Sequence, residues 1–430
     1  MFRWKKFLIG GAAMAVFASA AFAGWSVLGD GALPLEPSSM VAKVDAARQR
    51  QPAAPLYLLR WTENTDAVRY ELHVKDMGGR LIFDQPYAFQ NTYILPESLT
   101  ANGIPDGFWY ETRPLDLDGE PIGAWSRPRR LKDDAALLTV HAPVPRSEYH
   151  KGNGTDLLYP VYAYTAYPDA ASYEVEVTSR EPEQGASMRA SRYRIAHYTS
   201  ELTDIYDSEP RTGSYYWRVR ALDAAGRPMT VWSAAQHIEL APASFTVAVF
   251  GDSISHGGGR LSYGPSDWAY SYASYLDVPV VNLSESGDTS ARMAERFAAD
   301  IRPFRQLKTV LILGGTNSLR ASTSAESVIE DLKSIQNQAR ARGIEPILLT
   351  LPPIHPAQIA KAFDQPTADD WQEKFAKVNA FIRTQPHIDT AAPFAAFREM
   401  PKELAMDGLH GDVRAKQMMA EQINQSLHGM

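Results

Sequence analysis

The stretch Phe245–Ser255, Phe-Thr-Val-Ala-Val-Phe-Gly-Asp-Ser-Ile-Ser, constrains the fold of this 430-residue chain more than any other. β-forming and small apolar residues at 246–250 run without a break into Gly251-Asp252-Ser253. A run that short and apolar predicts a buried parallel strand that ends in a turn. In an open α/β sheet, a residue just past the carboxyl end of such a strand stands at the edge where ligands bind.

The grammar downstream agrees. Strands are expected at 246–250, 278–283, 309–313 and 345–350. Helices are expected at 267–276, 290–301, 325–342, 370–384 and 413–427. Strand and helix in alternation predict a parallel sheet covered on both faces. Residues 244–430 are read as one domain of this kind, entered through the short linker around Ala241–Ser244.

Upstream the pattern is all-β. Clusters such as Tyr57–Trp61 and Tyr70–Val74 are separated by Asn64, Asp66, Gly78-Gly79, Asn102-Gly103 and Asp118-Gly119, which are turn residues. The pattern then repeats. Trp109–Pro121 followed by Trp125-Ser126 aligns without a gap with Tyr216–Pro228 followed by Trp232-Ser233. Arg, Leu, Asp, Gly, Pro, Trp and Ser coincide, and Tyr70–Val74 aligns with Tyr173–Val177. Two matches at nearly one period imply an internal duplication of a whole domain. Boundaries are set at 55–140 and 141–243, with 24–54 as a linker or leading segment. The two units resemble fibronectin type III domains in the strand Tyr-x-Trp-Arg-Val-Arg-Ala-Leu-Asp, the Gly of the next turn, and the Trp-Ser before the last strand. That resemblance implies two β-sandwiches. Along 217–222, Trp217, Val219 and Ala221 are expected to face inward and Arg218 and Arg220 to alternate with them.

Composition narrows the function classes. Hydrophobic residues at 45% and charged residues at 22% are ordinary for globular domains. A formal charge of −7 argues against nucleic acid or an anionic membrane surface as partner. The absence of cysteine excludes disulfides, thiolate nucleophiles and thiolate metal sites. Arg3, Lys5 and Lys6 precede an uncharged run from Phe7 to Gly29 that contains Ala21-Phe22-Ala23. This is the layout of a secretory signal over residues 1–23. Its Ala/Gly-rich core favours cleavage, and an uncleaved anchor is the alternative. The expected location is therefore secreted, periplasmic or cell-surface, with no stable membrane span after cleavage.

Four separated stretches carry the chemistry. Gly251–Ser255 follows the first strand, Asn282–Gly287 the second, Gly314–Asn317 the third, and Asp407-Gly408-Leu409-His410 precedes the last helix. Loops after parallel strands gather on one sheet edge, so these residues can meet. The set resembles the SGNH, or GDSL, hydrolase family over 245–430, with a serine block at 251–255, a glycine block around Gly287, Gly-Thr-Asn at 315–317 and Asp-x-x-His at 407–410. The resemblance implies a flavodoxin-like α/β/α fold with Ser253 as nucleophile, His410 as general base and acid, and Asp407 as the group that orients the imidazole. It also implies an oxyanion hole made of the backbone N–H groups of Ser253 and Gly287 and the side-chain amide of Asn317.

Other residues take plainer roles. Asp252 reads as a structural carboxylate, capping or loop-holding, and Ser255 as a helix cap. His355, His387 and His428 read as surface or loop histidines. His256-Gly257-Gly258-Gly259 resembles the oxyanion loop of lipases, but it follows the serine instead of preceding it, so it reads as a flexible loop at the site mouth. Tyr263, Trp268, Tyr270, Tyr272 and Tyr275 read as the core face of a helix, with Tyr263 or Trp268 as candidates to line an entrance. No phosphate-binding loop and no His-Glu-x-x-His pattern is present, and no cofactor or metal is expected. The resulting expectation is an exported serine esterase that hydrolyses O-acyl, foremost O-acetyl, esters on a polysaccharide or cell-wall glycan. A lysophospholipase- or thioesterase-type lipid esterase, and a surface binding protein with a vestigial hydrolase domain, are the alternatives.

Overall fold

The computed structural model describes residues 55–88, 90–146, 153–183, 188–258, 268–405 and 407–428. The expected signal at 1–23, the leading segment 24–54, Gly259 and Tyr263 lie outside the described residues.

The N-terminal half is strand-rich and antiparallel. Between Tyr57 and Leu137 the strands form one sheet of three and one of four. Between Val144 and Leu240 they again form a sheet of three and a sheet of four. Period-2 patterning sets the faces: Tyr70, Leu72 and Val74 of Arg69–Lys75 are buried, and so are Trp217, Val219 and Ala221 of Gly213–Leu222. Several hydrogen bonds recur at the corresponding positions of the two halves. Ser126 Oγ accepts from Thr112 N at 3.0 Å, and Ser233 Oγ accepts from Val219 N at 3.1 Å. Asp116 Oδ1 takes the N–H groups of Asp118 and Glu120, as Asp223 Oδ1 takes those of Ala225 and Arg227. Tyr70 Oη accepts from Asn64 N and Tyr173 Oη from Tyr167 N.

Arg218 departs from the expected alternation. It is buried against the fully buried Glu176, and its guanidinium lies 5.0 Å from the Trp232 ring centroid. The ion pair and the ring supply what water would have supplied to its charge.

From Val247 onward the fold is doubly wound. The parallel strands are β1 (Val247–Gly251), β2 (Val280–Asn282), β3 (Thr309–Leu313), β4 (Glu345–Leu349) and β5 (His387–Ile388). They lie in the order β2-β1-β3-β4-β5. The order reverses at β1, so the loops after β1, β2 and β3 open toward one another at the switch point. The helices are α1 (Ser253–His256), α2 (Ser290–Asp300), α3 (Thr316–Arg320), α4 (Ala325–Arg340), α5 (Pro356–Phe363), α6 (Trp371–Ile382) and α7 (Val413–His428). β5, α1, α3 and α5 were not anticipated. His387 lies in β5, not in a loop, and His355 caps α5 by accepting from Gln358 N. Among the described residues no helix is long and apolar enough to cross a membrane.

The expected helix at 267–276 does not form. Two 3₁₀ turns, Trp268–Tyr270 and Tyr272–Tyr275, flank an extended Ser271. The segment is tied down by tertiary partners instead: Asn424 donates to the Tyr275 carbonyl at 2.9 Å, and Tyr272 Oη donates to Ser255 Oγ at 2.9 Å.

The free edge of β2 is covered by residues 153–158. Leu158 N donates to the Asn282 carbonyl and Asn282 N to the Asp156 carbonyl, both at 2.9 Å, in a parallel bridge of Leu157 with Asn282. Asn153 Oδ1 accepts from Val280 N at 2.8 Å. Leu158 and Tyr159, just beyond, belong to the same apolar core as Val249, Val281 and Phe297. An exposed edge presents unpaired backbone groups, and this segment satisfies them.

Candidate active site

Buried β1 delivers the chain into a tight turn. Asp252 is the N-cap of α1, its Oδ1 accepting from Ile254 N at 3.0 Å, so Ser253 becomes the first helical residue. Asp252 is the cap its position suggested. It is fully buried, which pushes its carboxyl up to about 6, and its Oδ2 makes no hydrogen bond among the described residues. Ser255 accepts the Tyr272 hydroxyl and does not cap the helix.

Asp407 and His410 come from one turn ahead of α7. Asp407 Oδ1 accepts the N–H groups of Leu409 and His410, both at 2.8 Å, which locks the carboxylate. Its Oδ2 lies 2.8 Å from His410 Nδ1, and His410 Nε2 lies 2.8 Å from Ser253 Oγ. With the Nδ1 proton held by the carboxylate, Nε2 is the free acceptor for the serine proton. All three side chains are nearly out of contact with water. Gly258 packs on the ring: a Cβ there would stand 2.8 Å from His410 Cδ2. His256, Gly257 and Gly258 are thus buried packing elements, not a flexible loop at the mouth.

Gly287 and Asn317 lie on the next two loops of the same edge. Gly287 has φ +90°, and the space its side chain would fill is open. Asn317, the second residue of α3, donates from Nδ2 to the Asp288 carbonyl at 2.9 Å and accepts on Oδ1 from Arg320 Nε at 3.2 Å. One amide hydrogen of Asn317 is left without a partner among the described residues. The glycine loop and the asparagine are therefore tied together at Asp288.

Four residues around the site were not anticipated. Arg296 of α2 is buried and donates to Asp288 Oδ2 (2.6 Å), Asp300 Oδ2 (2.5 Å), the Leu283 carbonyl (2.8 Å) and the Gly251 carbonyl (3.1 Å). It joins the ends of β1 and β2 to the glycine loop. Lys416 of α7 is fully buried and donates to the Ile254 carbonyl at 2.6 Å behind the nucleophile turn. Burial lowers its amine to about 8 against the pull of Asp252, Asp407 and Asp412. His256 bridges Ser286 Oγ (2.8 Å) and the Tyr159 carbonyl (2.7 Å), and burial holds its imidazole down at about 4. Tyr159 donates its hydroxyl to Asp300 at 3.0 Å. The available signal was a charge on an apolar stripe: Arg296 beside Met293 and Phe297, Lys416 beside Met419 and Ala420. Among the described residues no group of three or more His, Asp or Glu is placed to hold a metal ion.

Comparisons with known proteins follow the same stretch. The sequence model of the GDSL-like Lipase/Acylhydrolase family matches residues 249–417. Esterase TesA of Pseudomonas aeruginosa is 34% identical over 148 residues, which cover 33% of this chain and 72% of that esterase. Among solved structures, the lipase/acylhydrolase from Enterococcus faecalis is 20% identical, over 43% of this chain and 95% of its own, with a TM-score of 0.34. A catalytic mutant of an acetylxylan esterase from Geobacillus stearothermophilus is 18% identical, over 43% and 94%, with a TM-score of 0.32.

Proposed function

The chain belongs to the GDSL-like lipase/acylhydrolase family and is an ester-hydrolysing enzyme, and from that premise we propose that Ser253, His410 and Asp407 are its catalytic triad. The observation that carries the proposal is the unbroken pair of 2.8 Å hydrogen bonds from Asp407 through His410 to Ser253 Oγ.

The reaction then runs as follows. Ser253 Oγ attacks the ester carbonyl carbon while His410 Nε2 takes its proton. The carbonyl π electrons move to oxygen, and the oxyanion is met by the N–H groups of Ser253 and Gly287 and the Asn317 amide. Collapse breaks the bond to the alcohol, which leaves with the proton from His410. Water, deprotonated by His410, then releases the acid from the acyl-enzyme and returns Ser253. Asp407 stays ionised throughout and stabilises the imidazolium.

The substrate proposed is an O-acyl, foremost O-acetyl, ester on an extracellular or cell-wall glycan. The signal-like residues 1–23 support an exported enzyme, and the duplicated strand-rich units at 55–140 and 141–243 support fibronectin type III-like modules carried ahead of it. Release of p-nitrophenol from its acetate tests the nucleophile. Ser253→Ala is expected to lose activity by a factor of about 10⁴ or more with unfolding temperature unchanged. Equal rates for the two proteins would refute it. An acyl series from acetyl to octanoyl tests the substrate: preference for the long chain would replace the glycan ester with a lipid ester.

A further inference from the structure

A cleft of about 370 Å³ opens between the first β-unit and the hydrolase unit. The loop Asn64–Val68 and the turn around Asp116 and Ile122 form one wall, and Tyr270, Lys402, Glu403 and Arg414 form the other. Asp407 of the triad also lines it. Contacts among the described residues hold the first unit against this face. Tyr270 Oη donates to the Thr65 carbonyl at 3.1 Å, Arg414 pairs with Asp66 at 3.7 Å, and Lys361 pairs with Asp118. A unit that supplies none of the four catalytic blocks therefore builds half of a cavity that borders the turn carrying Asp407 and His410.

The lining has a definite chemistry. Five of its side chains are carboxylates, Asp66 and Glu403 among them, against two cations, Lys402 and Arg414. A ligand bearing phosphate or carboxylate would be repelled. Between the charges lie apolar surfaces, including Ile122 and Leu117. The exposed Glu403 can accept from hydroxyl groups, and apolar faces cover C–H surfaces. That combination suits a neutral sugar ring, which carries both. The volume sits in the lower part of the roughly 300–1,000 Å³ range of small-molecule sites.

We propose that this cleft seats the neutral, hydroxyl-rich alcohol part of the ester, the sugar units beyond the acylated one, with the first β-unit supplying one wall. The proposal rests on the glycan-ester reading above. The first unit is then a specificity element of the active site, and esters of anionic alcohols are disfavoured.

Ile122 is 39% exposed and lines the cleft, so Ile122→Trp would reduce its volume. The measurement is kcat/KM on acetylated xylo-oligosaccharides and on p-nitrophenyl acetate, for the full chain and the variant. The expected result is that the ratio of oligosaccharide to small-ester activity falls about tenfold or more in the variant. Glu403→Lys, which changes charge in place of volume, is expected to lower the same ratio, and unchanged unfolding temperatures show that both variants fold. If the full chain deacetylates the oligosaccharides and the ratio is the same in both variants, the seat is refuted and the glycan-ester reading stands. If the full chain cleaves p-nitrophenyl acetate but no acetylated oligosaccharide, the glycan-ester reading fails and the seat fails with it.

Discussion

The main-chain carbonyl of Tyr159 accepts a hydrogen bond from Nε2 of His256 at 2.7 Å. This fixes the histidine tautomer, because Nδ1 is then free to accept from the Ser286 hydroxyl, 2.8 Å away. Ser286 precedes Gly287, and His256 ends the helix that begins at Ser253. Tyr159 also donates to Asp300, which with Asp288 clamps Arg296. A residue upstream of the parallel sheet is thereby wired to both the nucleophile turn and the glycine loop.

A chain beginning at residue 244 lacks this wiring and exposes the edge of β2. It also loses the buried Leu158 and Tyr159, each worth about 1.5–3 kcal/mol. Thermal unfolding should show a transition about 10 °C or more below that of a chain beginning at residue 141, with esterase activity reduced in parallel. Coincident transitions would show that the segment is dispensable.

The contribution of His256 to stability is acid-sensitive. Its folded pKa, about 4, lies below the ordinary 6.5, so between these values the unfolded chain binds the extra proton. The stability that the neutral ring contributes is therefore full above pH 6.5 and is lost as pH falls toward 4. Asp252, raised to about 6, and Glu285, raised to about 7, act in the opposite sense, and Arg296 keeps its charge throughout. Comparison with His256→Gln isolates the histidine: wild type should lose about 3 kcal/mol between pH 7 and 4 that the variant does not lose. Parallel urea-unfolding midpoints across that range would contradict this.

Asn317→Ala removes one of the three proposed oxyanion donors. The expectation is a fall in kcat of about 10²–10³ with KM nearly unchanged, since the interaction strengthens only in the transition state. Loss of the bond to the Asp288 carbonyl costs about 1 kcal/mol of stability, readable as a small shift in unfolding. A rise in KM at constant kcat would assign Asn317 to substrate binding instead.

Asp407→Asn separates charge from geometry. Its Oδ1 can still accept from Leu409 N and His410 N, so the turn is kept. Its amide then faces His410 Nδ1 and favours the tautomer with the proton on Nε2, aimed at Ser253. The expected loss in kcat is about 10⁴, with thermal stability within about 1 kcal/mol of wild type. Loss of less than tenfold would mean that the carboxylate charge is not used.

Much of the site was legible in the sequence because its parts are local. Ser253 needs only a strand and a capped turn, and both are written in residues 246–255. Asp407 and His410 lie three residues apart and share one turn. The supporting residues were not legible in this way. Arg296 and Lys416 look like solvated charges until the partners that bury them are known: Asp288 and Asp300 for one, the Ile254 carbonyl for the other. The Tyr-rich stretch after the serine has helical spacing, yet its hydroxyls and carbonyls find partners in α1 and α7 that outweigh helix formation.

By itself the sequence determined what short-range physics can carry. That includes the alternation of strand and helix from Val247 onward, the repeated turns at Asp116 and Asp223, and the choice of Ser253, Asp407 and His410 as candidates for the site. Only the tertiary structure decided that residues 153–158 cover the edge of β2, that Tyr159 steadies the loop before Gly287, and that the Asn64–Val68 loop walls a cleft reaching Asp407. Periodicity records which face of an element is apolar. It does not record which distant backbone group will satisfy an edge strand, a buried imidazole or a buried charge, because those pairings exist only once the chain has closed on itself.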